Sequence, residues 1–138
     1  MQEGVHELCE TLCERGYETL IETGGSLDIS RLDPRVRRIV DFKCPGSGMV
    51  SKNLWSNVER LRAGDEVKFV IGDRADFAWA LGKIQEHGLD RHCPVLMSVV
   101  FGVLEPVTLA EWIIESRANV RFQLQMHKYI WEPSTRGV

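Results

Sequence analysis

Three sets of residues in this chain have types and spacings that could do chemistry. The first is Cys9-x-x-x-Cys13, which places two thiols one helical turn apart. Val5, Leu8, Cys9, Leu12 and Cys13 together form the i, i+3, i+4, i+7, i+8 stripe of an amphipathic helix, and Gly16 ends it. The thiols therefore lie on the apolar face, and an iron–sulfur cluster takes more thiolates than two. They read as core packing. The second set is Lys43-Cys44-Pro45-Gly46-Ser47-Gly48, a turn whose backbone N–H groups could cradle an anion. It lacks the Gly-Lys-Ser/Thr ending of a Walker loop. No nucleophile–base–acid set accompanies Ser47, so a small α/β hydrolase-like or phosphate-binding domain ranks low. The third set is the polar side of Val120–Met126, where Arg121, Gln123, Gln125 and His127 alternate with Val120, Phe122, Leu124 and Met126. Two amides and an imidazole in a row are good hydrogen-bonding equipment. The plainer reading is an edge strand with one solvated face.

Composition narrows the function classes. The chain has 138 residues, 17 basic against 20 acidic side chains, a net charge of −3 and 43% hydrophobic content. That is enough for one domain with a real core, residues 1–138. A weakly acidic chain lacks the basic patch on which nucleic-acid affinity rests, so no nucleic-acid partner is expected. No apolar run approaches bilayer length, so no membrane partner is expected either. The first residues are acidic and polar, unlike a secretory leader. Four irregularly spaced cysteines fit reduced thiols in a cytoplasmic protein.

The elements that must position these residues alternate. A helix is predicted over residues 3–15, then strands at Tyr17–Ile21 and Arg37–Phe42, with Gly24-Gly25 after the first. Leu54, Val58 and Leu61 mark a helix, Glu66–Ile71 a strand, and Asp73 a cap for the helix carrying Phe77, Ala80, Leu81 and Ile84. Pro94–Val100 reads as a strand buried on both faces. Thr108-x-x-Glu111 has the capping-box pattern ahead of Trp112, Ile113 and Ile114, and the Val120–Met126 strand follows. Such alternation implies an α/β fold with a parallel sheet, whose working residues sit at the strand C-terminal ends. Those ends gather Thr23 to Ser26, Lys43 with its loop, Gly72-Asp73, Ser98 to Gly102, and Gln125 with His127.

Several strings together resemble one family. Glu22-Thr23-Gly24-Gly25-Ser26, Asp41-Phe42-Lys43-Cys44-Pro45-Gly46-Ser47-Gly48, Asp65 to Ile71 and Gln123 to Trp131 are similar, in this order, to the 7-carboxy-7-deazaguanine synthase family of radical S-adenosylmethionine enzymes. The resemblance spans nearly the whole chain, and its closing string is the most specific to the family. It implies a carbon–nitrogen lyase that makes the deazapurine core of queuosine, a product of tRNA modification, from the pterin 6-carboxytetrahydropterin. The implied cofactors are S-adenosylmethionine, a 4Fe-4S cluster and Mg²⁺. It implies S-adenosylmethionine contacts at Asp41, Phe42 and Lys43 and, partly through backbone atoms, at Ser98, Val99, Val100 and Phe101. Gln125, His127 and Pro133 would contact the substrate. Gly24 replaces the Asn of the family's Thr-Asn-Gly string and so removes a side-chain amide.

The resemblance also implies that this chain corresponds to the C-terminal half of an open parallel (βα) partial barrel of the radical SAM type. The family's cluster cysteines, its Mg²⁺ ligand and its Gly-Gly-Glu-Pro string would precede the first residue. Cys9, Cys13, Cys44 and Cys93 do not stand in for those ligands. A half barrel exposes a strand edge, and the expected partner is the N-terminal half or a second copy in a homodimer. A different class of reading is a non-catalytic ligand-binding or assembly module.

Overall fold

In a computed structural model, residues 3–135 are described. Five strands form one sheet: β1 (Leu20–Thr23), β2 (Arg37–Phe42), β3 (Glu66–Ile71), β4 (Val95–Val99) and β5 (Arg121–Phe122). They lie side by side in chain order and every neighbouring pair is parallel. Right-handed crossovers between strands that never reverse order deposit all their connections on one face. A doubly wound sheet, by contrast, reverses order at a switch point and is covered on both faces. The sequential order is therefore that of a partial βα barrel, as expected.

Strand alternation supplies the two faces. On β3, Val67, Phe69 and Ile71 are buried, while Glu66, Lys68 and Val70 are half-buried. The register extends the buried row to Val40 and Phe42 on β2 and to Val95, Met97 and Val99 on β4. Against it pack Phe77, Ala80 and Ile84 of α2 (Arg74–His87) and Leu89 of the short α3 (Leu89–His92). Leu109 of α4 (Pro106–Ser116) and Cys9 and Cys13 of α1 (Val5–Glu14) belong to the same core. Truncating a fully buried aromatic such as Phe69 in such a core costs about 3–5 kcal/mol. The four cysteines are buried free thiols. Below the sheet, Arg38 and Asp65 form a buried ion pair, and Asp65 also accepts from the Arg38 and Arg62 main-chain N–H groups. Among the described residues, no helix is long and apolar enough to cross a membrane.

β2 and β3 match the sequence reading, and β4 trims its range by a residue at each end. Four expectations are corrected. β1 begins at Leu20, because the Tyr17 N–H is used by the Leu12 carbonyl in closing α1. The helix marked by Leu54, Val58 and Leu61 is a 3₁₀ segment, Trp55–Arg60, preceded by two shorter 3₁₀ turns. Thr108 lies inside the first turn of α4, its N–H bonded to the Glu105 carbonyl. Pro106, whose fixed φ suits the first helical position, starts the helix. Finally, β5 has two residues, and His127 opens α5 (His127–Ile130). The ladder stops because the Gln125 side chain, through Nε2, donates to the Val99 carbonyl at 3.3 Å. The last main-chain bond to β4 is Gln123 N–H to Met97 O at 2.9 Å.

Candidate functional site

The face of the sheet away from the helices is charged. By register it carries Glu22 on β1, Arg37 and Asp41 on β2, Glu66 and Lys68 on β3, Ser98 on β4 and Arg121 on β5. Most charged residues of the strands face this side while the core helices pack on the other, which leaves it for a ligand or another chain.

Asp41 stands at the C-terminal end of β2, 9% exposed. Its Oδ2 accepts from the Lys43 Nζ at 2.6 Å, while its buried Oδ1 has no partner among the described residues. Burial pushes its carboxyl upward from the ordinary range, opposed by the Lys43 hydrogen bond and charge and by Lys68. Lys43 itself is fixed through its main chain. Its N–H donates to Asn53 Oδ1 at 2.8 Å, and its carbonyl accepts from Asn53 Nδ2 at 2.9 Å. The next loop is held by Asp76, a buried residue of α2. Its Oδ1 accepts from Gly46 N–H at 2.8 Å and its Oδ2 from Gly72 N–H at 3.1 Å. A Cβ at position 46 would lie 2.7 Å from Asp76 Oδ2, so only glycine lets this carboxylate approach. Asp73 caps α2 by accepting from Asp76 N–H at 2.8 Å.

These groups border a cavity of about 550 Å³ whose lining includes Asp41, Lys43, Gly46, Gly72, Asp73 and Val100. Cys44 also lines it, with its thiol pushed up to about 12, first by burial and then by Asp76 and Asp41. Such a thiol stays protonated and is a poor nucleophile. On the same face of the sheet, next to Val70 in register, Ser98 is 0% exposed and its hydroxyl has no partner among the described residues. A second cavity of about 290 Å³ is lined by Glu22, Lys68, Gln123, Leu124, Gln125, Met126 and His127. There the Lys68 Nζ donates to Glu22 Oε1 at 2.8 Å.

The structure thus brings Asp41, Phe42, Lys43 and Val100 to the first cavity and Gln125 and His127 to the second. The Phe42 ring is buried and stacked on Trp55, with ring centroids 4.4 Å apart. Ser98, Val99, Phe101 and Pro133 line neither cavity. The Val99 carbonyl receives Gln125, the Phe101 ring meets Tyr129 edge-on at 5.4 Å, and the Pro133 carbonyl accepts from Lys128. His127 reaches the second cavity from α5 and not from a strand. Sequence reasoning missed Asn53, Asp76, Glu22 and Lys68. Only Asp73-x-x-Asp76 at a helix start carried a local signal, and it pointed to capping.

No family model matches the chain. It is 43% identical over its full length to 7-carboxy-7-deazaguanine synthase of Chlorobaculum tepidum, spanning 64% of that protein. It is 37% identical over 94% of its length to the protein of the same name from Koribacter versatilis, spanning 63% of it. A third, from Leptospira interrogans, is 43% identical over 86% of this chain and half of its own length. The chain therefore spans between half and somewhat under two thirds of these relatives. Along its whole length it is a homologue of the 7-carboxy-7-deazaguanine synthases.

Proposed function

We propose that this chain works in 7-carboxy-7-deazaguanine synthesis, within the queuosine pathway, as the part that holds the adenosine of S-adenosylmethionine and one wall of the substrate pocket. In this reading residues 1–138 act as one domain in the cytoplasm, completed by an N-terminal part or a second copy. The carrying observation is Asp41 Oδ1, a buried acceptor with no partner among the described residues, beside Lys43 at a cavity of about 550 Å³, with Ser98 Oγ a second such atom on the same face of the sheet. Buried polar atoms are nearly always satisfied, so two on one face ask for a ligand's donors. An adenosine offers ribose hydroxyls and an exocyclic amine that fit them.

Bound S-adenosylmethionine supplies adenosyl radical chemistry. The reaction contracts the ring of 6-carboxytetrahydropterin with loss of ammonia. This chain's residues bind and orient. Asp41 and Ser98 accept from the cofactor's hydroxyls, Lys43 holds the Asp41 carboxyl in place through its hydrogen bond, and the Val100 backbone borders the base. Gln125, His127 and Pro133 contact the substrate. The described residues do not fit the family's inorganic groups, since no three His, Cys, Asp or Glu among them could hold a metal ion. The 4Fe-4S cluster and Mg²⁺ would be bound by residues outside the described ones.

Isothermal titration of the chain with S-adenosylhomocysteine, free of iron, tests the reading. Saturable one-to-one binding, weakened by Asp41→Asn and Ser98→Val, is expected. No heat at millimolar ligand overturns it.

A further inference from the structure

The turn after β2 has the glycines and N–H groups of an anion cradle, yet the structure spends those donors within the chain. Ser47 N–H donates to the Cys44 carbonyl at 3.1 Å, Gly48 N–H to the Pro45 carbonyl at 2.9 Å and Met49 N–H to Ser47 Oγ at 3.1 Å. Gly46 N–H crosses instead to α2 and donates to Asp76 Oδ1 at 2.8 Å, while Gly72 N–H, just past β3, donates to Asp76 Oδ2 at 3.1 Å. Two glycine N–H groups from neighbouring strand ends, meeting beside the first turn of a 14-residue helix, are an arrangement suited to a phosphate. Both glycines keep the space open. A Cβ would lie 2.7 Å from Asp76 Oδ2 at position 46 and 3.2 Å from it at position 72. The anion that fills this seat is the chain's own carboxylate, 2% exposed and bordering the larger cavity.

We propose that Asp76 is a specificity-determining residue, an internal anion that takes the seat of a phosphate and so keeps phosphorylated adenosines out of this cavity. That choice of ligand class rests on the reading of the cavity as an adenosine site. Two effects act together. Asp76 occupies the Gly46 and Gly72 N–H groups, so a phosphate brought to the cavity finds neither of them free. Among the charged groups of the lining, Asp41, Asp73 and Asp76 stand against the single ammonium of Lys43, which is already bonded to Asp41. A phosphate dianion would meet like charge there, and such repulsion separates ligands that share one adenosine. Asp41 Oδ1, without a partner among the described residues, suits a hydroxyl donor and repels a phosphate oxygen. The cavity therefore admits an adenosyl group whose 5′ substituent is neutral or cationic and rejects a nucleoside diphosphate.

The test titrates the intact chain with inorganic phosphate and with ADP, at an ionic strength matched with chloride. Binding is followed by calorimetry and by the amide NMR signals of Gly46 and Gly72. Wild type should show no saturable binding of either probe at millimolar concentration. Asp76→Ala vacates the seat and frees both N–H groups. It should bind both probes and gain about 10- to 100-fold in ADP affinity, as expected for new hydrogen bonds to a charged acceptor, with both glycine signals moving. Its unfolding midpoint should rise with phosphate more than that of wild type does, a readout that holds even for a marginally folded variant. Adding Gly46→Ala to Asp76→Ala puts a methyl group into the vacated seat and should abolish the gain. The inference is overturned if wild type binds the probes as tightly as Asp76→Ala, if Asp76→Ala gains neither binding nor stabilisation, or if the double variant keeps the gain. Titration with S-adenosylhomocysteine separates the two readings. Its failure alongside the phosphate gain of Asp76→Ala removes the adenosine pocket alone. Its success without that gain removes the role of Asp76 alone.

Discussion

Asn53 holds Lys43 by both of its main-chain groups, accepting its N–H at 2.8 Å and donating to its carbonyl at 2.9 Å. A side-chain amide has one acceptor and two donors, so it can imitate the edge of a neighbouring strand. β2 has ended at Phe42, and the residue that follows it is held in a defined place by a loop. The Lys43 ammonium is thereby kept beside Asp41.

Asn53→Ala removes both bonds and leaves two half-buried backbone groups unpaired. The cost should be about 1–3 kcal/mol of stability. Asn53→Asp should be no better than Ala, since it keeps the acceptor but sets a carboxylate against the Lys43 carbonyl. Urea denaturation measures both. An Asp variant as stable as wild type would show that Asn53 Nδ2 contributes nothing.

Asp41 yields a pH prediction whose sign is opposite to that of an ordinary surface carboxylate. Its folded carboxyl titrates above the ordinary value of 3.8 because burial outweighs the help of Lys43. The native state thus binds the proton more tightly than the unfolded chain does. The contribution of Asp41 to stability is full below 3.8 and is lost as pH rises through the higher folded value. Asp41→Asn should therefore flatten that decline and leave the protein at least as stable as wild type at neutral pH, while weakening adenosine ligands. Denaturation midpoints between acid and neutral pH check it. A variant clearly less stable than wild type at neutral pH would mean that the Lys43 ion pair outweighs desolvation.

The sheet has two open edges, β1 and β5. Apolar side chains stand exposed near both, Tyr17 and Leu20 at one and Met126, Ile130 and Trp131 at the other. Removing ~100 Å² of apolar surface from water is worth about 2.5 kcal/mol before association costs. The chain alone should dimerise or precipitate at tens of micromolar. Light scattering that reports a stable monomer there would contradict this.

What the sequence disclosed follows from where the information lay. β2 and β3 were legible to the residue because each has a buried apolar row set by its own alternation and closes on punctuation: Lys43 before Pro45, and Gly72 before Asp73. The last strand was overread. Val120 to Met126 alternates as a strand does, but the Gln125 side chain occupies the Val99 carbonyl that a longer ladder needs. Alternation records which side chains can face a core and not which carbonyls remain free. The segment of Leu54, Val58 and Leu61 misled for a related reason, since its apolar spacing suits a helix while Asn53 and Asn57 spend their amides on the backbone of Lys43, Leu27 and Ile29. The ends of β2 and β4 were read as a site rim, and Asp41 and Ser98 do stand there. Asn53, Asp76, Glu22 and Lys68 were invisible because each acts on a partner distant in sequence or across the sheet.

Asp76 gives the mouth of the larger cavity a mechanical character. One buried carboxylate accepts from the loop after β2 through Gly46 and from the end of β3 through Gly72. If either lip lifted away alone, a buried negative charge would lose half of its donors in a poorly hydrated place, which is costly. Small excursions of one lip are therefore transmitted to the other, as in two jaws pinned to a common hinge. A ligand entering above Asp41 meets a gap whose width is set by a single side chain.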